Sequence, residues 1–299
     1  MPVFLPTSID DALATMAEHP RAQPVAGGTD LLVGINAGRT PVHTVVALDR
    51  VAELRTWRRD GDRVIIGSGV TFTALAEPEL AALVPALALA ARTVGSPQIR
   101  NAGTIGGNIA TASPAGDTLP VLVALDAEVV LRSVAAARTL PIGTFLLGPK
   151  HTDRRPDELI VGVRVPVVRG PQEFLKVGTR NAMVISVAGL AAVADLRART
   201  MRVALGSVGP TVLRAVEAEA YAERHIDWTA GSTPDPGTAT VFGALVAQAA
   251  RPIDDHRSSA AYRTHAVEVL GRRALARMFP PAIATGDAAA EHRAPEATP

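Results

Sequence analysis

Two short segments of the sequence combine adjacent glycines with threonine, a composition suited to holding an anion. They are Ala26-Gly27-Gly28-Thr29-Asp30 and Thr104-Ile105-Gly106-Gly107-Asn108. Glycine has no Cβ atom and tolerates positive φ, so consecutive backbone N–H groups can converge on a phosphate. Threonine hydroxyls add further donors. Two such loops can hold the two phosphates of a dinucleotide from opposite sides, although each can also be an ordinary tight turn.

Neither segment matches the common nucleotide-binding motifs. Both lack GxGxxG and the P-loop pattern GxxxxGK followed by Ser or Thr. The nearby stretch GSGVTF at 67–72 departs from GxGxxG at its last position. The sequence therefore gives little support to a Rossmann or P-loop site.

The second glycine segment leads into a stretch that ends in a carboxylate. Thr111 and Asp117 lie in this stretch, just before the apolar run 119–125. The Asp117 oxygens can accept hydrogen bonds from sugar-like hydroxyls, or they can cap a helix that begins at Thr118. The two roles are compatible.

Composition excludes several classes of function. The 299 residues carry 30 Lys and Arg against 29 Asp and Glu, and a net charge of +1 gives no broad field for nucleic acid or membrane. No stretch approaches the roughly 18 apolar residues of a membrane span, so we expect a cytoplasmic protein. The chain has no cysteine, so any cysteine-ligated iron-sulfur cluster belongs to another chain. Its seven histidines lack the spacing of a metal-ligand pair.

Apolar periodicity predicts the elements that position these residues. It predicts strands at 23–26, 45–48, 63–67, 128–133, 138–141 and 158–165, and helices at 9–18, near 31, at 71–77 and at 86–93. Residues 95–117 are expected to form a polar loop. After Gly170, strands at 173–177, 186–196 and 201–206 precede helices near 215–224, 238–250 and 261–278. The pattern indicates an α+β chain with domains at 1–170 and 171–280 and a solvated tail at 281–299.

Longer stretches around the glycine segments resemble a known family. VAGGTDLL at 25–32 and NAGTIGGNIATASPAGDTLP at 101–120 are similar to the flavin loops of the FAD-binding subunit of molybdenum hydroxylases. This family includes the flavoprotein subunits of aerobic carbon monoxide dehydrogenase and bacterial xanthine dehydrogenase. The similarity continues in order through 145–166, 174–189, 204–219 and 252–275. It implies a vanillyl-alcohol-oxidase-type (PCMH) FAD-binding domain of two subdomains, followed by a smaller C-terminal α+β flavoprotein domain.

The resemblance also assigns residues to the cofactor. It implies that 26–30 and 104–108 clasp the FAD pyrophosphate, with Thr111 and Asp117 near the phosphate and ribityl part. Backbone groups of Val161 are expected at the pyrimidine edge of the flavin. Lys176 is expected to place a cation near the isoalloxazine, the alternative being a solvated lysine at a strand end. Val94 stands where relatives can carry an aromatic residue beside the ring.

The same resemblance implies a heteromeric complex. A large subunit carries the molybdenum cofactor and a small subunit carries 2Fe-2S clusters, and neither group is expected in this chain. Electrons reach FAD from the clusters and leave to NAD, a quinone or oxygen. The motifs favour a xanthine or purine dehydrogenase-like complex over carbon monoxide dehydrogenase. Two alternatives are a self-sufficient flavin oxidoreductase of the same fold and a scaffold without FAD.

Two further charged sites have mainly structural interpretations. The run Asp254-Asp255-His256-Arg257 predicts helix caps and ion pairs rather than an acid-base cluster. Arg180, in the motif KVGTR, either supports the structure or meets a negative group of the electron acceptor.

Overall fold

Helices and strands are mixed along the chain, and the computed structural model describes residues 2–41, 43–233 and 235–281. The predicted tail lies outside the described residues, apart from its first residue. The strands are β1 (Val3–Phe4), β2 (Gln23–Val25), β3 (Val45–Ala47), β4 (Trp57–Asp60), β5 (Arg63–Gly67), β6 (Glu128–Arg132), β7 (Ala137–Pro141), β8 (Leu146–Gly148), β9 (His151–Thr152), β10 (Leu159–Pro166), β11 (Gln172–Val177), β12 (Ala188–Asp195), β13 (Thr200–Gly206) and β14 (Leu213–Arg214). The helices are α1 (Ile9–Glu18), α2 (Leu31–Asn36), α3 (Phe72–Leu75), α4 (Pro78–Leu83), α5 (Pro85–Thr93), α6 (Pro97–Ala102), α7 (Ile105–Thr111), α8 (Thr118–Ala124), α9 (Ile142–Phe145), α10 (Val216–His225), α11 (Pro236–Ala249) and α12 (Ala260–Met278). In the described part of the chain, no helix is both long enough and apolar enough to span a bilayer.

A small parallel sheet begins the chain, with its strands in the order β1-β3-β2. Its core is closed by α1, whose buried residues Ala12, Leu13 and Met16 lie on one face of the helix. The Ser8 hydroxyl caps this helix by accepting a hydrogen bond from the Asp11 N–H. The first glycine segment follows directly at the carboxyl end of β2.

A five-stranded antiparallel sheet, in the order β4-β5-β10-β6-β7, forms the second layer. Alternate residues of its strands are buried, such as Val64 and Ile66 on β5 and Val129 and Leu131 on β6. They share a core with α5 and α8, most of whose residues are also buried. The second glycine segment lies beside this layer, because α7 contacts β10.

The C-terminal sheet, in the order β11-β12-β13-β14, separates two hydrophobic cores. Leu190 and Ala192 of β12 pack in the core formed with α10, α11 and α12. Ala191 and Val193, on the opposite face of the strand, belong to the core that contains α5 and α8. This strand is rich in alanine because both of its faces are covered by helices.

Residues 95–117 were wrongly predicted as a loop, because α6 and α7 occupy most of them. Side chains of Ser96 and Thr104 cap the two helices. Ile105 and Ile109, four residues apart on α7, are fully buried. This burial outweighs the low helix propensity of two adjacent glycines.

Most other predicted elements are confirmed to within one or two residues at each end. The helix predicted at 71–77 is reduced to the single turn α3. The prediction missed several short elements, including β1, β4, α4 and α9. The strand β4 was missed because its residues Arg58, Arg59 and Asp60 are exposed and show no apolar alternation.

The charged run before α12 forms ion pairs, as predicted, but the residue that caps the helix is Ser259, which follows the run. Asp255 accepts hydrogen bonds from the Arg257 N–H at 2.8 Å and from Arg263 Nη2 at 2.6 Å. Arg263 is only 4% exposed and donates to the backbone oxygens of Val187 and Ser207. Through Arg263, Asp255 ties the start of α12 to the C-terminal sheet.

This carboxyl leads to a pH-dependent prediction. Hydrogen bonds from the Arg257 N–H and the Arg263 guanidinium outweigh the effect of burial and lower the pKa of Asp255 from 3.8 to about 2. A carboxyl whose pKa is lowered by folding stabilises the folded chain above its unfolded pKa, and this contribution is lost as the pH falls through the folded value. We expect Asp255→Asn to lower the melting temperature at pH 6. The difference from wild type should shrink between about pH 4 and pH 2.

Circular dichroism melts at several pH values check this expectation. Asp62→Asn is the control, because Asp62 is exposed and its side chain makes no hydrogen bond or ion pair with the described residues. A difference between Asp255→Asn and wild type that stays constant down to pH 2 would contradict the assignment.

Candidate functional site

The first glycine segment, residues 26–30, forms the turn from β2 into α2. None of the backbone N–H groups of residues 27–30 has a hydrogen-bond partner among the described residues. Gly28 takes a left-handed conformation with φ of +67°, which costs glycine little. Consecutive unpaired donors of this kind are suited to bind a phosphate.

Gly27 fixes the distance between the two glycine segments. A Cβ atom on Gly27 would overlap the backbone oxygen of Ala102, so only glycine fits at this position. Ala102 is the last residue of α6, immediately before the second segment. The two segments therefore lie side by side.

The second glycine segment does not offer its first N–H groups to a ligand, contrary to the prediction that both segments do so. Ile105 and Gly106 donate to the backbone oxygens of Val70 and Ser68, at 3.0 and 2.9 Å. The Gly107 N–H is bonded to the Thr104 hydroxyl at 3.0 Å. A Cβ on Gly106 would overlap Ser68, so this glycine serves packing.

A cleft of about 600 Å³ lies between the two segments. Nine of the predicted binding residues line it, namely Ala26, Gly27, Gly28, Thr29, Asp30, Thr104, Gly107, Asn108 and Thr111. A Cβ on Gly107 would meet only the Thr104 hydroxyl, at 3.2 Å, so this glycine faces open space. Phe72, Val94 and Ile185 give the cleft an apolar wall. Its volume and mixed lining are typical of a cofactor site.

Five predicted residues do not line this cleft, namely Ile105, Gly106, Asp117, Val161 and Lys176. Ile105 belongs to the core, and Gly106 lines a smaller neighbouring cavity. Val161 lies where the register of β10 shifts, and its backbone oxygen accepts from the Ser68 N–H at 3.1 Å. That oxygen is thus already engaged within the protein, and the contact between Val161 and the flavin pyrimidine edge stays a prediction.

Asp117 and Lys176 form a buried ion pair. Their side chains are 7% and 11% exposed, and Lys176 Nζ lies 2.6 Å from Asp117 Oδ2. Ser186 donates to Asp117 Oδ1 at 2.5 Å. Lys176 also donates to the backbone oxygens of Thr93 and Val184, at 3.0 and 3.2 Å. All three Lys176 hydrogen bonds are therefore made to the protein.

The structure corrects the helix-cap interpretation of Asp117. The residue stands at the N-cap position of α8, but its side chain makes no capping hydrogen bond. Its carboxylate accepts hydrogen bonds from Lys176, Ser186 and Thr93, and its proximity to the phosphate and ribityl part of FAD stays a prediction. Lys176 is likewise not a solvated lysine at a strand end. Its proximity to the isoalloxazine stays a prediction.

The pair holds one wall of the cleft from behind. Lys176 bonds the backbone of Thr93 and Val184, and the next residues along the chain, Val94 and Ile185, line the cleft. The Asp117–Lys176 pair therefore acts on the cleft by positioning its apolar wall.

Sequence analysis missed two cations beside the cavities, Lys150 and Arg154. Lys150 lines the cleft from the turn between β8 and β9, where it has φ of +60°. Its only sequence signal is the preceding Gly148-Pro149, which marks a turn. The Arg180 guanidinium donates hydrogen bonds to the backbone oxygens of Ala182 and Met183 in its own loop. These contacts support the structural interpretation of Arg180.

Comparison with known proteins agrees with this geometry. Residues 1–168 match the family model described as the FAD binding domain in molybdopterin dehydrogenase. The chain belongs to this flavoprotein family. Residues 173–278 match the model of the CO dehydrogenase flavoprotein C-terminal domain. FAD is thus the cofactor of the chain, which is a subunit of an oxidoreductase.

Several relatives span most of the chain. The xanthine dehydrogenase FAD-binding subunit of Escherichia coli O157:H7 is 31% identical over 280 residues, covering 90% of this chain and 92% of the relative. The carbon monoxide dehydrogenase medium chain of Hydrogenophaga pseudoflava is 33% identical over 215 residues, covering 70% and 75%. A solved structure of carbon monoxide dehydrogenase from Hydrogenophaga pseudoflava has a TM-score of 0.83 and 29% identity, covering 93% of this chain and 96% of its own. The predicted family is confirmed.

The buried ion pair gives a stability prediction. We expect Lys176→Met to lower the free energy of unfolding by about 3–5 kcal/mol, because it leaves the Asp117 carboxylate buried without its cation. The double variant Asp117→Asn/Lys176→Met should regain part of this loss, since no charge is then left unpaired.

Urea unfolding of Lys176→Met, Asp117→Asn and the double variant measures the coupling between the two side chains. Lys150→Met is the matched control, because Lys150 is exposed, and its effect should stay within about 0.5 kcal/mol. Additive effects of the two single substitutions would show that the pair is not coupled.

Proposed function

We propose that this chain is the FAD-binding electron-transfer subunit of a heteromeric molybdenum hydroxylase. A large partner subunit carries the molybdenum cofactor, and a small partner subunit carries iron-sulfur clusters. The chain accepts electrons from those clusters and delivers them to an external acceptor, which is NAD, a quinone or oxygen. Bound FAD supplies the redox chemistry, because a flavin takes up electrons singly and releases them in pairs.

One observation carries the proposal, the row of unpaired N–H groups at residues 27–30 on the wall of the cleft. These donors suit a pyrophosphate, and Gly107 leaves open space in the same cleft. The residues of the chain therefore bind and orient the cofactor. The electron-transfer role requires no proton transfer by a side chain.

The composition supports the division of tasks among subunits. Without cysteine, the chain has no thiolate to ligate an iron-sulfur cluster. The relatives are themselves named as a FAD-binding subunit and a medium chain. A protein that is named as a subunit or as a medium chain is one part of a larger complex.

We also propose the vanillyl-alcohol-oxidase-type arrangement for residues 1–170. The small parallel sheet with α1 is one subdomain, and the five-stranded sheet with its helices is the other. In this proposal the cofactor lies between them. The cleft is lined by residues 23–31 of the first subdomain and, in the second, by Thr104, Gly107, Asn108, Ala110, Thr111, Ser113, Ala115 and Gly116. Residues 171–280 form the C-terminal flavoprotein domain.

The substrate of the whole complex is proposed from the motifs, which favour a xanthine or purine dehydrogenase-like complex. Relatives of comparable identity are named for xanthine and for carbon monoxide, so identity alone does not separate these substrates. Carbon monoxide dehydrogenase remains the alternative.

The open space at Gly107 leads to a binding prediction. We expect Gly107→Val to weaken FAD binding at least tenfold, because the new side chain occupies space that the cofactor needs. Gly143→Val is the matched control, since a Cβ there meets nothing within 4 Å and the residue lies outside the cleft. Visible absorbance of the purified variants reports FAD content, and circular dichroism reports folding. Full FAD occupancy in folded Gly107→Val would refute the placement.

The electron-transfer role is tested by comparing the lone chain with the assembled complex. We expect the lone chain to carry FAD or to take it up, but not to oxidise xanthine or carbon monoxide with a dye as acceptor. Coexpression with its molybdenum and iron-sulfur partners should give substrate-dependent bleaching of the flavin absorbance. Substrate oxidation by the lone chain would favour the self-sufficient oxidoreductase. A flavin-free chain in every preparation would favour the scaffold.

A further inference from the structure

Arg263 of α12 is a buried cation whose hydrogen bonds join three segments of the chain. Only 4% of the residue is exposed. Its Nη1 donates to the backbone oxygen of Val187 at 2.7 Å and to that of Ser207 at 2.9 Å. Its Nη2 donates to Asp255 Oδ1 at 2.6 Å. The two backbone acceptors both lie close in sequence to residues of the cleft.

The first acceptor, Val187, ends the segment that contributes Ile185 to the apolar wall of the cleft. Residues 178–187, all of them described, contain no helix or strand. The position of Ile185 therefore depends on hydrogen bonds from outside the segment. Arg263 supplies one of them, two residues after Ile185.

The second acceptor, Ser207, leads to another segment of the cleft wall. The Ser207 N–H donates to the backbone oxygen of Pro114 at 2.7 Å. Both neighbours of Pro114, Ser113 and Ala115, line the cleft. The Ser207 oxygen accepts from Arg263 at the same time. Arg263 therefore supports this segment through one intervening residue.

The local geometry at Ser207 reduces the stability of the fold. Ser207 has φ of +63°, a left-handed conformation that is unfavourable for a residue with a side chain. Its buried hydroxyl and the Nε of Arg263 have no hydrogen-bond partner within the described part of the chain. Unpaired buried polar atoms and backbone strain both cost free energy. Their occurrence at one junction favours a functional reason for this arrangement.

We propose that Arg263 is a positioning residue of the flavin site, which holds the segments of Ile185 and Pro114 at the spacing that bound FAD requires. The inference rests on the proposed placement of FAD in the cleft, and it gives the C-terminal domain a part in cofactor binding. Arg263 itself does not line the cleft, so it acts through backbone groups. Asp255 in turn orients the guanidinium.

Arg263→Lys tests this role, because lysine keeps the positive charge but lacks the planar fork that reaches several acceptors at once. We expect the FAD affinity of the full chain to fall roughly tenfold, since charge-assisted hydrogen bonds behind the wall are lost. The visible circular dichroism of bound FAD should also change, because it reports the surroundings of the flavin ring. Titration of the flavin-free chain and spectra at saturating FAD measure the two effects.

Val246→Ala is the matched control, because Val246 is fully buried in the core of the C-terminal domain and does not line the cleft. It should lower the melting temperature but leave the FAD affinity and the visible spectrum unchanged. The variants are compared at a temperature at which far-ultraviolet circular dichroism shows both to be folded. If Arg263→Lys matches wild type or Val246→Ala in FAD affinity and visible spectrum, Arg263 has only a structural role and the proposal is overturned.

Asp255→Asn provides a second test if Arg263→Lys does not fold. It removes the charged partner of the guanidinium, on a side chain that is 24% exposed, and leaves both backbone acceptors in place. FAD affinity should again fall and the visible spectrum should change, both by less than in Arg263→Lys. A lower melting temperature without either change would overturn the proposal. A wild-type chain that binds no FAD, alone or in its complex, would instead contradict the proposed function.

Discussion

The candidate site depends on backbone segments that approach one another more closely than side chains allow. Gly27 lies against the Ala102 backbone, and Gly106 lies against Ser68. Gly162 packs in the same way against Ile66 within the five-stranded sheet. These contacts place both glycine segments on one cleft. These glycines therefore have a structural role that does not depend on ligand binding.

The two glycine segments look alike in sequence but play different roles. Composition and spacing identify both, since glycine beside threonine is a local property. Whether an N–H group is free depends on distant partners, such as the Ser68 oxygen that accepts from Gly106. Such partners are distant in sequence, so a local sequence pattern does not identify them. For the same reason, resemblance brought out Asp117 and Lys176 separately, and only the structure joins them.

Long apolar patterns were predicted well, and short exposed elements were not. The helix α12 places buried residues at helical spacing over nineteen positions, and a pattern of this length is not expected of a loop. In contrast, β4 exposes three charged residues and is defined by its pairing with β5. Lys150 and Arg154 were not predicted as site residues, because the sequence alone does not distinguish a basic residue beside a cavity from a solvated basic residue in a turn. Their position beside the cavities follows from tertiary structure alone.

The contact between Asp117 and Lys176 also has a consequence for biosynthesis. The partners are 59 residues apart in the chain, and Ser186 lies still further along. As the ribosome extends the polypeptide from its N-terminus, both glycine segments emerge well before the cation that holds the apolar wall behind them. A nascent chain that stops short of β11 exposes Asp117 to water and lacks Ile185. The apolar wall of the cleft is therefore complete only after translation has passed this strand and Ile185.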